Sequence, residues 1–82
     1  MKNRDDILQL IRDIMQEMFE IEADEVTLEA NLYKDLDFDS IDAVDMIVKL
    51  KEMTGKALKP EDFKNARTIS DVVEAVYKLI NE

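Results

Sequence analysis

The chain has 82 residues, 46% of them hydrophobic, with one Gly, one Pro, no Cys, no His and a net charge of −9. This describes one small helical domain over residues 1–82 with a modest core. It excludes a disulfide framework, a CxxC metal site and a thiolate nucleophile, and it removes the usual general base, so a non-enzymatic role with no catalytic residue is expected.

Asn3 is placed as an N-cap with Asp5 and Asp6 in the first turn. Ile7, Ile11, Ile14, Met18 and Ile21 follow at helical spacing, and Leu8, Leu10 and Met15 widen that face. The pattern predicts a first helix from about Arg4 to about Glu20. From Glu22 to Asp39 no period is sustained. Val26, Leu28, Leu32 and Leu36, with Tyr33, are spaced to dip apolar side chains into a core from a polar connection. Asp24-Glu25-Val26 and Asn31-Leu32-Tyr33 are candidate turns within it. A connection this long inside a small domain needs a functional or structural reason.

A second helix is predicted from Ser40 to near Thr54. Asp39 is its N-cap, Asp42 stands at its third position, and Gly55 takes the left-handed position beyond its end. At about 100° per residue, Ala43, Met46, Ile47, Leu50 and Thr54 share a core face. Ile41, Val44 and Val48 fall roughly opposite, bordered by Asp42, Asp45 and Glu52. Either a neighbouring helix covers this second stripe or a partner does. Leu58 to Phe63 reads as a one-turn helix begun by Pro60, with Leu58 and Phe63 as anchors. Thr68 and Asp71 form an acidic capping box. Ile69, Val72, Val73, Val76, Tyr77 and Ile80 then carry a last helix to about Asn81. The fold class is all-α: three main helices, one short helix and a long first connection.

The negative charge is unevenly spread. Residues 13–48 hold twelve acids against Lys34 alone, a net of −11, and the rest of the chain sums to +2. Nucleic acid and anionic membranes are repelled by such a field, whereas a partner with a basic patch is steered toward it. Acidity that merely maintains solubility is the plain alternative. The N-terminus turns polar at once, and no apolar run approaches membrane-spanning length, so a soluble cytoplasmic protein without membrane insertion is expected.

The stretch Asp39-Ser40-Ile41-Asp42, followed by Ala43-Val44-Asp45-Met46-Ile47-Val48 and preceded by Leu32-Tyr33-Lys34-Asp35-Leu36, resembles the acyl carrier protein family. In that family an Asp-Ser-Leu or similar triplet opens the second helix, and the serine carries 4'-phosphopantetheine. The resemblance covers nearly the whole chain and implies attachment at Ser40, with an acyl group held as a thioester on the arm. A phosphodiester there would face free helix amides and the positive dipole end. The resemblance also implies a recognition face made of Asp39, Ile41, Asp42, Val44, Asp45 and Val48. Its readers would be a phosphopantetheinyl transferase, acyltransferases, ketosynthases and reductases, offering Lys or Arg and an apolar groove to a monomeric carrier. The acyl chain would lie between helices, with Met46 and Met53 adjusting to it.

Three features depart from the family pattern. Asp37-Phe38 stands where many members have Gly shortly before the serine, and bulky Phe38 is expected to alter how the arm lies or which partner fits. Ile41 replaces the more frequent Leu. Lys49 and Lys51 put positive charge on the second helix. The pathway stays open between fatty acid synthesis and a specialised, polyketide-like product. Asp35, Asp37 and Asp39 also match positions 1, 3 and 5 of a calcium loop, but Ser40 replaces its glycine and Met46 its bidentate glutamate, so no metal site is expected. Two further readings remain: an unmodified acidic interaction module, and an aminoacyl or peptidyl carrier.

Overall fold

The computed structural model describes residues 3–81. Its helices are α1 (Arg4–Phe19), α2 (Ser40–Thr54), α3 (Pro60–Asn65) and α4 (Ile69–Ile80), with a short 3-10 turn at Ala23–Glu25. Among the described residues the only extended pairing is an isolated bridge between Asn31 and Thr68. No helix among them is long and apolar enough to cross a membrane.

Each helix starts and stops for a local reason. The Asn3 side chain accepts from Asp6 N at 2.8 Å. α1 closes where Glu20 turns left-handed (φ 57°) and Ile21 N reaches back to Met15 O at 3.2 Å. Gly55 ends α2 with φ 77°, a conformation glycine adopts without penalty. Pro60 opens α3, where its missing N–H leaves no helical bond unmade. Thr68 and Asp71 cap α4 reciprocally.

The core gathers Ile7, Leu10, Ile11, Ile14 and Met15 from α1, Met46 and Leu50 from α2, Leu58 and Phe63 around α3, and Ile69, Val72, Val73 and Val76 from α4. Two expectations shift. Met18 lies 39% exposed, although its spacing places it on the apolar face. Arg4 is anchored to Glu74 and Tyr77 in the last turns of α4, and α1 has sixteen residues against twelve in α4, so the last turn of α1 runs past its partner. Leu28 and Tyr33 are likewise exposed rather than inserted, whereas Val26 and Leu32 are fully buried.

The Arg4 anchor joins the two ends of the chain. Its guanidinium lies 4.1 Å from the Tyr77 ring centroid and pairs with Glu74 through two nitrogens. The Glu74 hydrogen bond raises the Arg4 pKa, and the same bond holds the Glu74 carboxyl below its ordinary range.

The long first connection is laced down. Leu32 N donates to Arg67 O (2.8 Å), Ile69 N to Ala30 O (3.0 Å) and Ser70 N to Leu28 O (2.9 Å), which ties it to the start of α4. The Arg12 Nε donates to Val26 O at 2.9 Å. Asn31 folds the next turn, its side-chain oxygen accepting from Tyr33 N and Lys34 N, while Asp35 Oδ2 accepts from Asn31 N. Phe38 is the last anchor before α2. It is buried, its N–H donates to Leu32 O at 2.9 Å, and its ring centroid sits 4.8 Å from that of Phe19 in a tilted arrangement. Phe38 therefore packs inward beneath the connection, away from where an arm or partner would meet it, and its effect is on the placement of Asp39 and Ser40.

Candidate functional site

The start of α2 is built from one reciprocal cap. Asp39 is extended, and its Oδ1 accepts from Ile41 N (2.9 Å) and Asp42 N (3.0 Å), while Asp42 Oδ2 accepts from Asp39 N (3.3 Å). This arrangement changes one expectation, because two amides assigned to an anion on Ser40 are already donated to Asp39. The helix dipole still favours negative charge there, but those N–H groups are not free. Two residues earlier, Asp37 sits in the left-handed region at φ 55°. The turn demands a conformation that glycine adopts freely, and Asp is among the few other residues that tolerate it.

Ser40 is the first residue of α2 and is exposed. Beside it the second apolar stripe is uncovered: Ile41 is 70%, Val44 56% and Val48 54% exposed. Among the described residues no neighbouring helix covers these side chains, which removes the alternative that the stripe is core. Asp45 is exposed next to them, whereas Asp42 is half-buried by its part in the cap. Asp35 and Asp39, positions 1 and 5 of the calcium-type pattern, turn carboxylate oxygens onto backbone amides, and among the described residues no three potential ligands converge.

An open groove of about 490 Å³ runs between α2 and α3 from Ser40, walled by Ala43, Val44, Ile47, Pro60 and Phe63, with Tyr33 and Lys64 also lining it. Met46 and Met53 were expected to line such a space, and neither does. Met46 is wholly inside the core and Met53 is 48% exposed. Residues 46 and 53 lie outside the half of α2 that turns toward α3, a relation set by how α3 docks. Pro60 and Phe63 carry a helix-start and a core signal in the sequence, and nothing local marks them as groove residues. A group attached at Ser40 would therefore have an apolar bed on one side and open solvent on the other.

Residues 9–76 match the family model described as "Phosphopantetheine attachment site", a span that contains both the α2 start and the groove. The chain is also 55% identical over 75 residues to acyl carrier protein 2 of Ralstonia nicotianae, covering 92% of this chain and 93% of that protein. This chain belongs to the acyl carrier protein family. It is 34% identical over 79 residues to the meromycolate extension acyl carrier protein of Mycobacterium tuberculosis, covering 96% of this chain and 69% of that one. In fold it is similar to the acyl carrier protein of Thermotoga maritima, with a TM-score of 0.82 over 95% of this chain and 91% of that one at 23% identity. The acyl carrier protein of Enterococcus faecalis superposes with a TM-score of 0.76 over 94% and 98% at 30% identity. Acyl carrier proteins are carriers and not enzymes, they bear 4'-phosphopantetheine, and they work with transferases and synthases. The exposed hydroxyl at a helix start, beside an apolar groove, fits that group.

Proposed function

We propose that Ser40 is the residue that carries 4'-phosphopantetheine. The supporting observation is a solvent-exposed serine hydroxyl at the first position of α2, standing where the apolar groove and the exposed stripe meet. Attachment joins Ser40 Oγ to the phosphorus of coenzyme A that bears the pantetheine. The bond from that phosphorus to the bridging oxygen of the pyrophosphate breaks, adenosine 3',5'-bisphosphate leaves, and the hydroxyl proton passes to a base on the transferase, since this chain offers no histidine. When bound, the arm supplies the thiol that this cysteine-free chain lacks, and acyl cargo is held there as a thioester. Ala43, Val44, Ile47 and Phe63 give that cargo an apolar surface to rest on.

The recognition face in this reading is Asp39, Ile41, Asp42, Val44, Asp45 and Val48. The exposed valines and Ile41 supply apolar contact area, and the acids supply steering toward Lys or Arg on a phosphopantetheinyl transferase, acyltransferases, ketosynthases and reductases. The reading extends to a monomeric cytoplasmic carrier for a fatty acid or polyketide-type pathway, with Lys49 and Lys51 among the features that set its partners apart.

Incubation with coenzyme A and a broad-range phosphopantetheinyl transferase, followed by intact-mass analysis, is expected to show one added arm. Ser40→Ala is expected to abolish the gain. Loading of Ser40→Ala to the same extent as the parent would overturn the assignment.

A further inference from the structure

A phosphodiester on Ser40 adds a negative charge where Asp37, Asp39 and Asp42 already stand within three residues of it. Two of the α2 amides are not available to offset this, because Ile41 N and Asp42 N donate to Asp39. A counter-charge in the groove would add to what the helix dipole supplies, and the groove holds one cationic residue. Of the eight residues lining it, Lys64 alone is charged, and the remainder are apolar apart from the hydroxyls of Ser40 and Tyr33.

Lys64 is exposed, in the last turn of α3. Several other cations are engaged: Arg4 with Glu74, Lys49 with Glu52, Lys56 with Leu79 O and Arg12 with Val26 O. The Lys64 side chain makes no ion pair or hydrogen bond among the described residues, although Glu61 and Asp62 precede it on the same short helix. A lysine with an uncommitted side chain thus lines the same apolar-walled groove as Ser40. A lysine tail suits this place, since its methylenes can follow the apolar wall while its charge reaches outward.

Resting on the assignment of Ser40, we propose that Lys64 pairs with the phosphodiester on Ser40 and so lays the arm along the groove between α2 and α3. Lys64 is in this sense a positioning residue for the arm. The pair is solvent-accessible, so it is salt-sensitive and easily exchanged. A partner that presents its own Lys or Arg to the phosphate releases the arm from the groove toward its active site.

The test uses the full chain loaded with coenzyme A and transferase, as wild type, Lys64→Gln, Lys64→Arg, Lys64→Glu and, as a control outside the groove, Lys34→Gln. Intact mass reports loading, circular dichroism reports folding, the phosphorus NMR resonance reports the surroundings of the phosphodiester, and the rate of arm-thiol alkylation reports its exposure. Lys64→Gln and Lys64→Glu are expected to shift the resonance and to raise the alkylation rate about two- to fivefold, the range set by an exposed ion pair. Lys64→Arg is expected to restore both, and the difference is expected to vanish near 1 M salt. Fully loaded, folded variants with an unchanged resonance and rate overturn the role of Lys64 while leaving the Ser40 assignment standing. The same changes in Lys34→Gln overturn it too, since they reduce the effect to net charge. A wild-type chain that gains no arm removes the Ser40 assignment and this inference together.

Discussion

α2 and α4 begin alike and end up with opposite duties. Both start with a reciprocal cap, Asp39 with Asp42 and Thr68 with Asp71. α4 then buries four of its twelve residues, Ile69, Val72, Val73 and Val76, whereas α2 buries only Met46 and Leu50 among fifteen and leaves Ile41, Val44 and Val48 in solvent. Equal caps produce equally well-defined helices, but burial decides whether a helix holds the fold or displays itself. α4 is clasped by α1 and by the laced connection, and α2 meets the core along one narrow edge.

The sharpest break in this comparison comes from the cores. Ile69→Ala is expected to destabilise by about 2–5 kcal/mol, which for a domain of this size lowers Tm by about 10 °C or more. Thermal unfolding followed by circular dichroism measures it, and a drop under about 3 °C would show that α4 is not the structural member of the pair.

Removing the caps comes next. Thr68→Ala and Asp39→Ala are each expected to cost about 1 kcal/mol in denaturant titrations. Only Asp39→Ala frees the Ile41 and Asp42 amides, so only that variant is expected to lose hydrogen-exchange protection at the start of α2. A cost for Asp39→Ala far above that for Thr68→Ala would mean that the two caps are not equivalent.

A smaller effect concerns pH. The amides of Arg67 and Thr68 donate to Asp71 Oδ2 at 3.0 and 3.2 Å and hold its carboxyl below the usual aspartate range. A carboxyl depressed by folding contributes stability that is fully present above its unfolded value, about 3.9, and is lost as pH falls through the folded value. The stability gap between the parent and Asp71→Asn is therefore expected to be widest at neutral pH and to narrow below about pH 4. Denaturant midpoints at pH 7 and pH 3 decide it, and a gap that widened on acidification would contradict the assigned cause.

The smallest stability change is expected for the display face. Ile41→Ala should leave unfolding within about 0.5 kcal/mol of the parent, because its side chain is already in water. In the same variant, modification by the phosphopantetheinyl transferase is expected to show a raised KM. A stability loss above about 1 kcal/mol would place Ile41 in the core and dissolve the contrast between the helices.

The four helices, their caps and the bare stripe on α2 were legible along the chain. Asn3, Asp39 and Thr68 act on amides within about one turn, and Pro60 and Gly55 answer the geometry of their own helix ends. Phe38, Met18 and Met53 were not legible in this way. Phe38 reads as an obstacle beside Ser40 until Phe19, nineteen positions back in a chain that doubles over, comes to lie against it. Met18 has core spacing, but its exposure depends on where α4 begins, because the last turn of α1 runs past that point.

The amino-acid order alone determined where each helix begins and ends, which face of it is apolar, and that a serine opens the second one among acids, because these follow from hydrogen bonds and periodicities that span a few neighbours. Only the tertiary structure decided that Phe38 packs inward on Phe19, that α3 walls a groove beside Ser40, and that Lys64 shares that groove. Those relations depend on which surfaces are brought together from positions a dozen or more residues apart, and no local pattern encodes that docking.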